Sequence, residues 1–373
     1  MIHARSLGGC ASGARREACL RMVVERPGPH VYARVASVSS HVRRLARGGP
    51  NTMSHTVDGR DGNPADAVVR YVYAPGARLA SKTVGDRGEV AVVVHGGPGL
   101  SMSYFGDDLA ELSTQHTLVY YDQRGSGGST LVSSADELHV ERFVDDLDAV
   151  RRHLDRPRLT LLAHSWGAAV AALYAQRWPE RVERLVIVGG IPLRRAELVA
   201  AFDALRDARA PSERRALEDA TTAWRADPGD VNACRAFHRA WFGPFFGDPQ
   251  HAQRSTGDFC AGTPAARANK LAAVDRFTLA SLGDWDWRAA LATVRAPTLV
   301  VHGTVDPIPI DSARAWATAL PHARLLALGG VGHFPYLEAP ARFFPAVRAF
   351  LEGGWPDEAV GPSQPRAGAA SST

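Results

Sequence analysis

Hydrophobic positions along this chain fall into two rhythms. Short, β-branched apolar runs occupy residues 91–96 (AVVVHG), 117–122 (TLVYYD), 159–164 (LTLLAH), 182–190 (VERLVIVGG), 298–303 (TLVVHG) and 323–330 (ARLLALGG). Each reads as a buried strand. Between them the spacing changes to three and four. Val140, Phe143, Val144, Leu147, Val150 and Leu154 form one helical face. The Ala-rich stretch 166–178 reads as a helix stopped before Pro179, and 311–320 and 339–353 read as two more. Strands alternating with helices predict an α/β fold with a mainly parallel sheet covered on both faces.

The alternation breaks between residues 192 and 288. That segment holds amphipathic helix patterns at 194–208 and 213–227 and a dense aromatic stretch, FHRAWFGPFF, at 237–246. It predicts a helical cap (lid) over the ligand end of the sheet, inserted into a core made of 53–191 and 289–353. Trp224, Trp241 and Phe242 are the aromatic candidates for lining a pocket, the alternative being that they only attach the cap to the core. Residues 1–52 and 354–373 lack such patterning. The first reads as a disordered tail, or as sequence upstream of the true start, with the domain opening at Met53. The second, rich in Gly, Pro, Ser and Ala, reads as a disordered tail.

Charge refines this picture. The sequence pI near 9.0 hints at a polyanion partner. Yet residues 1–52 carry nine Arg and two Glu, whereas the whole chain is only +4, so the remainder is net negative. A nucleic-acid partner is therefore not expected. No apolar run is long enough to cross a membrane. The four cysteines, Cys10, Cys19, Cys234 and Cys260, show no CxxC or Cys/His ligand spacing, so no metal is expected. Free thiols in a reducing, cytoplasmic compartment are the expected state, and a Cys234–Cys260 pairing stays open.

Candidate chemistry lies at the carboxyl ends of the predicted strands. AHSWGA (163–168) puts Ser165 on a strand-to-helix turn, with the small residues Ala163 and Gly167 two places before and after it. The usual pattern has Gly at both. Asp306 follows one later strand (VHGTVDPI) and His333 follows the next (GGVGHFPYLE). The order Ser, Asp, His suits a nucleophile, an orienting carboxylate and a general base. HGGPG (95–99) follows the first strand. It offers the N–H of Gly97, or alternatively of Gly96, to join that of Trp166 as an oxyanion hole.

HGGPG, YYDQRGSGGS (120–129), HSWG and GHFPYLE together resemble the proline iminopeptidase family of α/β-hydrolases, over roughly residues 60–350. The resemblance implies an α/β-hydrolase fold and an exopeptidase releasing an N-terminal residue through an acyl-enzyme. It also implies lid carboxylates that bind the free α-amino group, often from a Trp followed closely by Glu. Here the sequence reads AWRADPGD around Trp224, so Glu197, Glu213, Glu218, Asp227 and Asp258 are loose candidates. Asp122, Gln123 and Arg124 are expected to brace the HGGPG turn and its neighbours. An esterase or other small-molecule acyl hydrolase is the alternative activity. A non-catalytic ligand-binding relative is a more distant one. Carboxylate-nucleophile chemistries of the fold are disfavoured by Ser165. No cofactor is required, the partner is a small peptide or acyl substrate, and oligomeric state is not legible.

Overall fold

The computed structural model describes residues 69–361. The expectations for 1–52 and 362–373 lie outside the described residues, as does the predicted opening of the domain at Met53. Eight strands form one sheet: β1 (Arg70–Ala74), β2 (Ala77–Val84), β3 (Val90–Val94), β4 (Thr117–Tyr121), β5 (Leu159–His164), β6 (Val182–Val188), β7 (Thr298–Gly303) and β8 (Ala323–Leu328). Their order is β1-β2-β4-β3-β5-β6-β7-β8. From β4 to β8 all pairings are parallel, and β1 and β2 add an antiparallel edge. The sequence reading missed that hairpin. Its residues mix exposed, polar and small positions instead of forming a continuous apolar run, so the strand signal is weak there.

In chain order the helices of the first half are α1 (Ala110–Ser113), α2 (Val140–His153) and α3 (Trp166–Arg177). The apolar stripe of α2 is buried, from Val140 through Phe143, Val144 and Leu147 to Val150. Between β6 and β7 the chain leaves the sheet for α4 (Arg195–Ala208), α5 (Pro211–Ala226) and α6 (Val231–Phe242), then α7 (Pro264–Asn269), a π-helical turn at Lys270–Val274 and α8 (Asp275–Phe277). Start signals are explicit here. Pro211 opens α5 while Glu213 accepts from the Ala210 N–H, and Asp230 caps α6 through the Asn232 N–H. An isolated bridge between Arg194 and Asp286 closes the base of this insertion. The last elements are α9 (Ile310–Ala319), α10 (Pro335–Glu338) and α11 (Pro340–Leu351).

Two expectations are corrected. Residues 354–361 are packed against the sheet edge, not free. Val360 and Leu325 exchange both backbone hydrogen bonds at 2.9 Å, and Trp355 lies against Phe350. The bias in Gly and Pro hid the one Trp that anchors the segment. Cys234 and Cys260 form a disulfide, not free thiols. Twenty-six residues apart in sequence, they meet because α6 and the loop after it are pinned by an Arg235–Asp258 ion pair and by Arg267 on the Cys260 carbonyl. Spacing alone carries no trace of that.

One buried charge pair joins the strand ends to the helical layer. The Arg124 guanidinium contacts both carboxylate oxygens of Asp146 on α2 at 2.7 Å, and it also donates to the carbonyls of Pro75 and Glu137. Both side chains are nearly inaccessible. Removing one partner strands the other charge, which costs about 3–5 kcal/mol. Asp146→Ala is therefore expected to lower unfolding free energy by about that much in a urea titration, and Asp146→Asn by less. The disulfide gives a second check. Peptide mapping without reductant should recover the Cys234 and Cys260 peptides joined, and separate after dithiothreitol.

Candidate active site

The sheet changes direction of strand addition around β3, with β4 on one side and β5 on the other. Ligands bind outside the carboxyl ends of strands at such a switch point. There, HGGPG leaves β3 beside the residue that ends β5. Ser165 follows β5 directly, with φ 56° and ψ −120°. A side chain rarely adopts this conformation, and it lifts the serine out of both strand and helix. A helix-capping serine would turn its hydroxyl to the next amides. Ser165 makes no such bond. Gly167 is obligatory: a Cβ there would lie 2.2 Å from the Val94 carbonyl oxygen.

The other two predicted residues come from β7 and β8. Asp306 accepts from the Ile308 N–H at 2.9 Å through Oδ1 and contacts His333 Nδ1 at 2.7 Å through Oδ2. Both residues are buried. The His333 backbone is held from two sides. Its N–H donates to the Phe245 carbonyl at 2.7 Å, and its own carbonyl meets His164 Nε2 at 3.0 Å. Gly189 must be small here, since a Cβ would lie 2.9 Å from His333 Nδ1. His164 immediately precedes Ser165, so the serine and histidine loops are joined at this contact.

The HGGPG turn is bonded on both edges. His95 sits in the buried interior, which pulls its imidazole down to about 4 and keeps it neutral. Its Nε2 faces the Gln123 N–H at 3.0 Å and must accept, so Nδ1 carries the proton and donates to the Gly96 carbonyl at 2.8 Å. That carbonyl belongs to the peptide whose N–H is Gly97's. Gln123 closes the frame: its side-chain amide donates to the His95 carbonyl at 2.7 Å and accepts from Trp166 Nε1 at 2.9 Å. The Gly96 N–H is already given to the Tyr104 hydroxyl at 2.8 Å. Among the described residues, the N–H groups of Gly97 and Trp166 have no protein acceptor. Of the two glycines, only Gly97 has its donor free.

Gln123 thus braces the turn, while Asp122 holds the neighbouring loops through the N–H groups of Met102 and Gly128. Burial raises the Asp122 carboxyl to about 6. Arg124 reaches α2 instead of the turn.

The aromatic candidates divide. Trp224 is 1% exposed and packs with Phe237 and the Cys234–Cys260 disulfide, its indole N–H on the Pro228 carbonyl. It is interior to the insertion, and it also borders a small cavity beside Gly99, Ser101 and Lys270. Trp241 is half-buried between Phe202, Phe237 and Phe245. Phe242 stacks on Phe259 at 4.6 Å and edges onto Phe245, which itself lies 5.3 Å from His333. Phe242 is thus one aromatic layer from the histidine. In that layer, Phe245 belongs to the aromatic stretch and Phe334 to GHFPYLE, but neither was singled out individually, and Phe259 lies in no motif. Glu338, the last residue of GHFPYLE, was given no role, yet its carboxylate accepts from the N–H groups of Gly332 and Gly247 and so ties the histidine loop to the insertion. The sulfur atoms of Cys234 and Cys260 lie near His238, a set that could ligate a metal, but here the sulfurs are bonded to each other. A cleft of about 370 Å³, lined by Arg156, Arg158, Glu183 and Arg184 among others, opens at the amino ends of the strands, away from Ser165.

A sequence profile described as the alpha/beta hydrolase fold matches residues 90–340. The chain belongs to the α/β-hydrolase family. This hydrolase is 26% identical to a proline iminopeptidase of Lactiplantibacillus plantarum in an alignment 313 positions long that covers 77% of the chain and 98% of the relative. The crystal structure of a Mycobacterium smegmatis proline iminopeptidase superposes with a TM-score of 0.56 at 25% identity, covering 76% of this chain and 98% of that one. A thermophilic esterase from Thermogutta terrifontis has the same fold, with a TM-score of 0.56 at 22% identity and 77% and 98% coverage. Among the described residues no helix of this hydrolase is long and apolar enough to cross a membrane.

The neutral His95 gives the turn an acid limit. An unfolded histidine protonates near 6.5, whereas the folded protein resists protonation down to about 4. The stabilisation is complete above pH 6.5 and lost as pH falls towards 4, about 3 kcal/mol in all. Buried His238, held down to about 3, acts in the same direction. Denaturation between pH 7 and 4 should show a smaller pH-dependent loss in His95→Asn than in the unaltered protein.

Proposed function

We propose that this hydrolase is a serine aminopeptidase that releases the N-terminal residue of small peptides. In this reading Ser165 attacks the carbonyl carbon. His333 takes the serine proton and returns it to the leaving amine, and Asp306 holds the imidazole and stabilises its charged form. The N–H groups of Gly97 and Trp166 receive the oxyanion, each worth about 3 kcal/mol in the transition state. Water then attacks the acyl-enzyme by the same route. The observation that carries the reading is the 2.7 Å contact of His333 with Asp306, together with a serine held at φ 56° whose preceding residue bonds the His333 carbonyl. The similarity to proline iminopeptidases supports the aminopeptidase part. The triad generates its own nucleophile.

One observation favours an esterase as the second reading. Among the carboxylates named as amine anchors, Glu197 faces Arg194, Glu213 caps α5, Asp227 holds its own turn and Asp258 pairs with Arg235. Glu218 is exposed on α5. A different carboxylate suits the aminopeptidase better. Asp275 pairs with Lys270 at 2.5 Å, and that Lys270 reaches the Pro98 carbonyl of the HGGPG turn at 3.4 Å. An incoming α-ammonium can replace Lys270 on Asp275.

The test compares prolyl- and alanyl-p-nitroanilide with their N-acylated forms and with p-nitrophenyl acetate. The aminopeptidase reading expects cleavage of the free-amine anilides, lost in Ser165→Ala and at least about tenfold weaker in kcat/KM in Asp275→Asn. Turnover of the ester alone would leave the esterase.

A further inference from the structure

The mechanism above uses His95 and Gln123 on one edge of the HGGPG turn. A second hydrogen-bonded chain holds the other edge, and it runs through two buried side chains without an assigned task. Tyr104 lies in the loop after the turn and is 2% exposed. Its hydroxyl meets the Gly96 N–H at 2.8 Å and His164 Nδ1 at 2.7 Å. His164 Nε2 meets the His333 carbonyl at 3.0 Å.

The direction of every bond is forced. A carbonyl only accepts, so His164 Nε2 carries a proton. Burial holds the His164 imidazole well below its usual range and therefore neutral, which leaves Nδ1 with a lone pair. The Tyr104 hydroxyl, kept protonated by burial, must donate to that lone pair. Its oxygen is then free to accept the Gly96 N–H. The chain runs Gly96 N–H to Tyr104 to His164 to the His333 carbonyl, with no group left unpaired.

We infer that Tyr104 and His164 are positioning residues, which lock the oxyanion turn to the serine and histidine loops through this one chain. The inference rests on the proposed role of Ser165 as nucleophile, and not on the choice of substrate. The His95–Gly96 peptide lies directly before the peptide that carries the Gly97 N–H. Without Tyr104 the Gly96 N–H has no acceptor in a buried site, and the turn must rotate to find one. Rotation there misaims the neighbouring donor. The Tyr104 ring is fixed for this task. It stacks on Phe259 at 5.4 Å and lies 4.2 Å from Phe105. Phe259 precedes Cys260 of the disulfide, so the insertion supplies the wall that keeps the hydroxyl in place.

The test is kinetic and uses the full chain. In Tyr104→Phe, kcat on p-nitrophenyl acetate and on prolyl-p-nitroanilide should fall about 10- to 100-fold, less than the about 100- to 1,000-fold for removing an oxyanion donor outright, because the donor is misaimed and not removed, while KM changes less than about threefold. Affinity for phenylboronic acid, which forms a tetrahedral adduct on the serine, should fall with kcat. A purely structural role would not produce that pairing. A second pair of variants separates positioning from folding. His164→Asn keeps an acceptor where Nδ1 stood, whereas His164→Gln keeps the donor to His333 and loses that acceptor, so Asn should retain more kcat than Gln. Unchanged kcat and boronate affinity in Tyr104→Phe overturn the inference. If Tyr104→Phe does not fold, equal rates in the two His164 variants overturn it. Full activity in Ser165→Ala overturns the nucleophile reading and this inference together. An inactive Ser165→Ala beside an unaffected Tyr104→Phe overturns this inference alone.

Discussion

Everything at the carboxyl ends of the strands depends on the orientation of one peptide plane, Gly96–Gly97. A backbone N–H can stabilise developing negative charge only if it points at the charge before the charge appears. Glycine by itself gives no such assurance, because it populates many conformations. This chain removes the freedom with hydrogen bonds from both sides. His95 donates to the Gly96 carbonyl, and the Gly96 N–H is taken by Tyr104. The glycines are needed for close approach to Ser165: a Cβ on Gly96 would lie 3.0 Å from the serine Cβ. The flexibility that lets the turn approach is thus cancelled by neutral, buried side chains.

Those side chains are neutral for a common physical reason. Burial penalises a charged imidazole, and His95 and His164 are both held below their ordinary range. A neutral imidazole has one donor and one acceptor, which makes it a directional link in a hydrogen-bonded chain. Three histidines around the serine, His95, His164 and His333, occupy three different positions in this network, and only His333 contacts a carboxylate at hydrogen-bonding distance.

The helical insertion acts on the same centre. Phe245 gives its carbonyl to the His333 N–H, and Gly247 shares the Glu338 carboxylate with Gly332. Phe259 supplies the face that holds Tyr104. The insertion therefore belongs to the support of the site and does more than cover it. Several carboxylates of the insertion are committed to arginines and helix caps, whereas the Lys270–Asp275 pair lies at the HGGPG turn.

The sequence by itself determined the parts governed by short-range rules. Continuous β-branched runs named the six parallel strands, and spacings of three and four named α2. Small residues flanking Ser165, with Asp306 and His333 after later strands, marked the loops that meet at one end of the sheet. The HGGPG and DQRG strings pointed to a brace, and Gln123 supplies it. Only tertiary structure decided the rest. The choice of Gly97 over Gly96 depends on Tyr104, whose hydroxyl reaches the turn only after the next loop folds back. Trp224 proved interior, and Phe259 and Glu338 proved central, because an aromatic or a carboxylate carries the same local signal whether it faces a pocket, a core or a loop. The Cys234–Cys260 bond depends on α6 meeting a loop 26 residues away. Periodicity reports which face of an element is apolar. It does not report what that face will meet, and contacts between distant loops are set by the packed sheet that brings them together.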